Sequence, residues 1–92
     1  MISYVYILKC SDGSFYTGST KNLIKRLTTH KKGKVKYTKS RLPFKLVFVK
    51  EFSSYREAFK FEKRVKSWKK RLSIQKMLGK EDNIFKNYLN FY

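Results

Sequence analysis

Acidic residues are scarce in this chain. Six Asp and Glu stand against 23 Lys and Arg in 92 residues, a formal net charge of +17. Self-repulsion of that size destabilises the compact state, so a polyanionic partner is expected. Nucleic acid fits best, because neutralised phosphates release counterions whatever the base sequence. A merely soluble, lysine-rich surface is the plainer alternative, but solvated surfaces usually mix both signs. So few carboxylates also weigh against a two-metal centre, which gathers several at one site. Cys10 is the single cysteine, which excludes an internal disulfide and a thiolate metal cluster. His30 is the one histidine, which excludes a cluster of imidazole ligands. No stretch approaches the length of a membrane span. The start, Met1-Ile2-Ser3-Tyr4-Val5, has no basic segment followed by an apolar run, so no signal peptide is expected and the cytoplasm is the expected compartment.

Ninety-two residues make one domain. A chain of this size buries somewhat above about 60% of its unfolded surface, and aromatics at 17% of residues help to fill a modest core. Residues 2–10 are apolar and β-rich and end at Ser11-Asp12-Gly13-Ser14, where Asp-Gly is a hairpin signal. The partner strand is residues 15–18. A two-residue Asp12-Gly13 loop would pair Lys9 with Tyr16 and put Tyr6 and Tyr16 on opposite faces. A three-residue loop, Ser11-Asp12-Gly13 with Gly13 left-handed, pairs Leu8 with Tyr16 and Tyr6 with Gly18. That register, favoured because glycine stands where a left-handed residue is required, brings Tyr6 and Tyr16 to one face.

A helix over about residues 21–31 follows, capped by Ser19 or Thr20. Leu23, Ile24 and Leu27 form its buried stripe, Asn22, Arg26 and His30 form a polar row beside it, and Gly33 ends it. Residues 34–41 read as a basic loop closed by Leu42-Pro43. Residues 44–52 read as a strand with Leu46-Val47-Phe48-Val49 as a fully buried centre. Ser54 and Glu57 form a capping box, and Ala58, Phe61, Val65 and Trp68 share one face of the helix that follows. A third helix is expected over residues 72–78, and Asp82 is expected to cap a last one carrying Ile84, Phe85, Tyr88 and Leu89. The order β-β-α-β-α-α predicts an α+β fold, a small three-stranded antiparallel sheet flanked by helices. Residues 1–80 would form the domain, with residues 81–92 a helical tail packed on it.

Among the six acids, Asp12 is explained by the turn and Glu57 by the cap. Glu62 has no local task beyond pairing with Lys66 at i+4, a contact worth about 0.3–0.5 kcal/mol. It lies on the shoulder of the buried stripe, where it could face a cleft at the sheet edge. Arg26 and His30, one turn apart, read most simply as a solvated face, and Tyr6 and Tyr16 as strand packing. Lys36, Lys39 and Arg41 flank Tyr37, a mixture suited to phosphate contacts with a ring for stacking, or to an ordinary exposed loop. Each signal alone is weak.

Together they are specific. Tyr4-Val5-Tyr6, Tyr16-Thr17-Gly18 ten residues on, then Arg26, His30 and a helical Glu62 resemble the GIY-YIG nuclease superfamily. The likeness is to small standalone proteins related to the nuclease domain at the N-terminus of UvrC. It includes the run from Asp12 to Gly18, Arg26-Leu27 with His30, Lys36-Tyr37-Thr38, and Glu62-Lys63 with Lys66, and leaves the last twenty residues outside. The resemblance implies a GIY-YIG-like fold and hydrolysis of phosphodiester bonds, in DNA ahead of RNA, by in-line attack of water. Tyr6 and Tyr16 would flank that water, one of them acting as general base. Arg26 would clamp the scissile phosphate, and His30 would orient or relay a proton. Glu62 would hold one divalent ion, Mg²⁺ or Mn²⁺. An unperturbed tyrosine has a pKa of about 10 and needs help as a base.

The motifs also depart from the family pattern. Tyr4 stands where the first motif has Gly, Thr17 replaces Ile in the second, and Ser19 stands where UvrC-type domains often have Lys. Tyr4 and Thr17 are both expected to point away from the tyrosine face. The partner surface is expected to run from the Arg26 helix across Lys36, Tyr37, Lys39 and Arg41 to Lys63, Lys66 and the basic tract after them. A protein partner that targets or activates so small a domain is also expected, with oligomeric state open. Two other readings stand beside the nuclease: a nucleic-acid-binding module that keeps the fold, and a module that docks an acidic protein.

Overall fold

The computed structural model describes residues 2–67, 74, 76, 78, 79 and 83–88. Strands β1 (Ser3–Cys10), β2 (Phe15–Thr20) and β3 (Phe44–Phe52) form one antiparallel sheet in the order β2-β1-β3. As the central strand, β1 is covered on both faces, and Val5, Tyr6, Ile7 and Leu8 are all completely buried.

The hairpin takes the three-residue loop. Gly13 has φ 83, the Cys10 N–H reaches the Ser14 carbonyl at 2.8 Å, and the Gly13 N–H reaches the Cys10 carbonyl at 2.9 Å. Asp12 Oδ1 accepts from the Ser14 N–H at 3.0 Å and the Ser14 hydroxyl at 2.6 Å, which explains its place in the turn. Leu8 therefore pairs with Tyr16, and Tyr6 with Gly18.

Helix α1 (Leu23–Lys31) lies on the Tyr6 face of the sheet, where Tyr6, Leu8, Leu23, Leu27, Leu46 and Val49 form one core cluster. It starts slightly later than expected, because Asn22 is the cap: its side chain accepts from the Lys25 N–H at 3.1 Å, while Thr20 Oγ1 accepts from the Asn22 N–H. Gly33, with φ 73, ends it as expected. Tyr4 overturns its expectation: sharing the parity of Tyr6, it packs on the same cluster. Thr17, paired with Ile7, does point the other way.

The expected basic loop holds one helical turn, α2 (Lys36–Lys39). In β3 the register slips between Ile7 and Leu8, which pair with Phe48 and Leu46 and leave Val47 as the bulged residue. Val47 is consequently half-buried rather than part of a fully buried centre.

Helix α3 (Tyr55–Lys66) packs on the opposite face, where Val65 joins Ile7 and Phe48. Ser54 Oγ accepts from the Glu57 N–H at 3.3 Å, but the Glu57 carboxylate accepts from the Ser53 hydroxyl, so only half of the capping box forms. Ile74, Lys76 and Leu78 are helical; Trp68 and the remainder of the expected third helix lie outside the described residues. The last expected helix is a 3-10 turn at Phe85–Tyr88, with Asp82 and Leu89 outside the described residues. Asn83 ties this segment to the bulge. Its side chain accepts from the Val49 N–H at 3.0 Å and donates to the Val47 carbonyl at 3.0 Å. Among the described residues no helix is long and apolar enough to cross a membrane.

Candidate active site

The site is assembled around one phenol. The Tyr6 ring crosses β2 at Gly18 so closely that a Cβ there would meet the hydroxyl at 2.5 Å and the ring at 2.7 Å. Only glycine leaves that space. The hydroxyl thereby reaches α1, where Arg26 Nε donates to it at 3.3 Å and His30 Nε2 lies at 2.8 Å. Spacing of four along α1 puts Arg26 and His30 on one side of the helix, and the sheet register delivers Tyr6 between them.

His30 is completely buried, so the solvated-face reading fails. Its Nδ1 lies 2.8 Å from Thr38 Oγ1, which itself donates to the Val35 carbonyl at 3.4 Å. With the Thr38 proton so directed, Nδ1 carries the imidazole hydrogen and Nε2 is the acceptor for the Tyr6 proton, an assignment inferred from the bond pattern. Burial, reinforced by the Arg26 charge, pushes the imidazole pKa down to about 4, so His30 is neutral near pH 7. Burial also raises the Tyr6 pKa, against the lowering effect of the Arg26 hydrogen bond. Arg26 is held more firmly charged, chiefly by its hydrogen bond to Tyr6, with Tyr16 also contributing.

Tyr16 completes the aromatic wall. Its ring centroid is 6.3 Å from Tyr6, 4.9 Å from His30 and 5.5 Å from Tyr37. Unlike Tyr6 it is only partly buried, and with Phe15, Tyr37 and Lys66 it lines a cleft of about 300 Å³.

Glu62 approaches from α3 across β2. It is 8% exposed, accepts a short hydrogen bond from the Ser19 hydroxyl, and is paired through Oε2 with Lys66 Nζ at 2.6 Å. Its charge is a minor contributor to the raised Tyr6 pKa, and its direct partners are Ser19 and Lys66. Among the described residues no three of His, Cys, Asp and Glu gather as a metal cage. One largely buried carboxylate fits a single hard cation whose other positions are filled by water and phosphate oxygens. Lys66, with a side chain 53% exposed, is able to swing off the shared oxygen.

The basic residues divide into two kinds. Lys36, Lys39, Lys63 and Lys66 are exposed. Arg41 is engaged within the fold: Nε pairs with Asp12 at 3.0 Å, Nη1 donates to the Tyr37 carbonyl at 2.7 Å, and the guanidinium lies 4.1 Å from the Tyr37 ring centroid. It braces the α2 turn against the hairpin and holds Tyr37, 39% exposed, beside Tyr16. Lys69, Lys70 and Arg71 lie outside the described residues. Gly18, Ser19 and Thr38 carry site functions that sequence reasoning did not assign. Thr38 stood within the Lys36-Tyr37-Thr38 motif, and Ser19 stood as a candidate helix cap and as a departure from the family pattern.

An α+β domain with paired tyrosines, an Arg-Tyr-His network and one largely buried carboxylate on the neighbouring helix has the composition of a nuclease-type catalytic domain. Residues 2–77 match the GIY-YIG catalytic domain, and the chain belongs to that family. The match reaches beyond the last twenty residues' expected boundary, as far as residue 77. The chain is similar to a UPF0213 protein of Bacillus pumilus, 49% identical over 78 residues and 80% of each chain. It is 40% identical over 91 residues to a UPF0213 protein of Streptococcus pneumoniae serotype 4, covering 98% of this chain and 89% of that one. The solution NMR structure of a UPF0213 protein from Bacillus halodurans is similar at 38% identity, with a TM-score of 0.60, covering 98% of this chain and 96% of that one.

Proposed function

We propose that this chain is a divalent-metal-dependent endonuclease that hydrolyses phosphodiester bonds, in DNA ahead of RNA, with structure preference or weak sequence specificity. The carrying observation is the meeting of Tyr6, Arg26 and His30 in one hydrogen-bonded network with Tyr16 beside it, together with a largely buried Glu62 carboxylate held against β2 by Ser19. A site built only to grip polyanions gains nothing from a largely buried carboxylate among its basic residues. The cytoplasm is the proposed compartment.

Tyr6 stays protonated, donating to His30 and accepting from Arg26, and so fixes the guanidinium direction. Arg26 binds the scissile phosphate and offsets the charge that grows on it. Tyr16, on the cleft, is the hydroxyl within reach of the attacking water and directs it in line with the leaving oxygen. The His30–Tyr6 pair provides a proton path behind it. Glu62 would hold the cation, Mg²⁺ or Mn²⁺, which would supply Lewis-acid polarisation of the phosphodiester.

One observation favours a second reading, a nucleic-acid-binding module without catalysis: Ser19 and Lys66 already occupy both carboxylate oxygens of Glu62. Cleavage of labelled linear and branched DNA and RNA, with Mg²⁺, Mn²⁺ or EDTA, separates the two. The nuclease requires metal-dependent cleavage that Glu62→Ala and Arg26→Ala both abolish while Glu62→Ala still binds. Binding without cleavage on every substrate would favour the module.

A further inference from the structure

We infer that the outer stripe of α3 is a stacking platform for an unpaired nucleic-acid strand leading to the Glu62 site. This inference rests on the nucleic-acid reading of that site and names the form of substrate it takes. Tyr55 and Phe59 are among the few large apolar side chains exposed in the described residues, at 45% and 43%. They are one helical turn apart, with ring centroids 6.1 Å apart and planes within 14°. Each ring carries an ammonium over it: Lys21 at 5.7 Å from Tyr55 and Lys63 at 5.3 Å from Phe59.

Isolated exposed hydrophobic residues need no explanation. Two nearly parallel rings, each with a lysine, have the composition of a single-strand site, where bases stack on aromatic faces and cations follow the backbone. The position decides the occupant. Tyr55, Phe59 and Glu62 follow helical spacing along one stripe of α3. From Tyr55 to Glu62 the helix rises about 10 Å, roughly three nucleotide steps at 3.4 Å per strand. At the near end Lys21 follows β2, whose Ser19 holds Glu62. A strand whose phosphate lies at Glu62 thus has rings and ammoniums continuing along its path. Paired bases keep their faces within the helix stack and gain little from such a surface. A neutral or acidic protein segment would use the lysines but not the spacing.

The test measures binding of the full chain to fluorescent oligo-dT and to a blunt duplex of equal length, with cleavage assayed in parallel. The expected result for Tyr55→Ala/Phe59→Ala is a loss of single-strand affinity of tenfold or more, with duplex affinity within about twofold of the parent, as two exposed stacking rings predict. Phe59→Tyr keeps a ring and is expected to bind like the parent. Equal losses on both ligands, or no loss on either, overturn the platform; the latter assigns the rings to a protein partner. Selective loss of single-strand binding in a chain that cleaves nothing supports the platform while removing the nuclease reading. Metal-dependent cleavage with ring-independent single-strand binding does the reverse.

Discussion

Tyr6 and His30, 24 positions apart, meet in a buried 2.8 Å hydrogen bond that joins the central strand to α1. His30→Ala would leave the Tyr6 proton and the Thr38 oxygen without this partner in the interior. At about 1–3 kcal/mol for each of the two stranded groups, destabilisation of about 2–6 kcal/mol is expected. Urea unfolding followed by tyrosine fluorescence measures it. A change below about 0.5 kcal/mol would mean that the network contributes little to the fold.

Thr38→Val keeps the shape of Thr38 but removes the oxygen that sets the His30 tautomer. With the nuclease reading, kcat is expected to fall about tenfold, less than the roughly hundredfold or more of a direct proton-transfer group because Thr38 acts through His30, while KM stays unchanged. Single-turnover cleavage distinguishes the two. A KM effect alone would assign Thr38 to substrate binding.

The pH dependence has a definite sign. Burial depresses the His30 pKa to about 4, while the unfolded chain titrates near 6.5. Between these values the unfolded state binds more protons than the native one, so stability rises with pH there. The full contribution is present above about 6.5 and is lost as pH falls toward 4. Arg26 and Tyr6 face the imidazole, and neither changes charge in that window. Thermal melts from pH 7 to 4 are expected to show a falling Tm in the parent and a flatter profile in His30→Gln. Matching profiles would refute it.

Gly18→Ala probes the close approach. The added methyl would lie 2.5 Å from the Tyr6 hydroxyl, forcing the ring off Arg26 and His30 at about 1–3 kcal/mol in stability, as for other overpacked cores. Cleavage should fall further than nucleic-acid binding, because the lysines do not depend on the ring. Parent-like stability and cleavage together would mean that Tyr6 has room to shift without consequence.

What was legible in the sequence followed from local chemistry. Gly13 in a three-residue loop determined the register and hence the shared face of Tyr6 and Tyr16, and Gly33 marked the end of α1. The buried state of His30 was not legible, because spacing along α1 describes a row without naming what covers it. Tyr6, Tyr16 and Phe44 cover it from the sheet. Tyr4 was legible and misplaced, since strict alternation already puts it with Tyr6. The Ser19–Glu62 contact spans 43 positions, and no local pattern encodes a bond between an edge strand and a helix packed across it. The capping role of Asn22 was hidden by two equally good cap residues just before it.

On the proposed function, a divalent ion at Glu62 would compete with Lys66 for Oε2. The ammonium holds Oε2 at 2.6 Å from one turn along α3, and a metal ion at that carboxylate must displace it. Lys66→Met keeps most of the aliphatic stem, removes the competitor and leaves the Ser19 hydrogen bond in place. If the contact is worth about 1 kcal/mol, at the upper end for partly exposed pairs, apparent Mn²⁺ affinity rises about fivefold. Free Mn²⁺ measured by electron paramagnetic resonance reports this without requiring cleavage. Nucleic-acid affinity measured with the ion bound is expected to move the other way, because one phosphate contact is lost and the salt slope shallows by about one unit. Opposite movements would identify Lys66 as an internal counter-ion that yields to the metal and then serves the phosphate. Unchanged Mn²⁺ binding in Lys66→Met, together with loss of binding in Glu62→Gln, would show that the ion approaches Glu62 through the oxygen bound by Ser19.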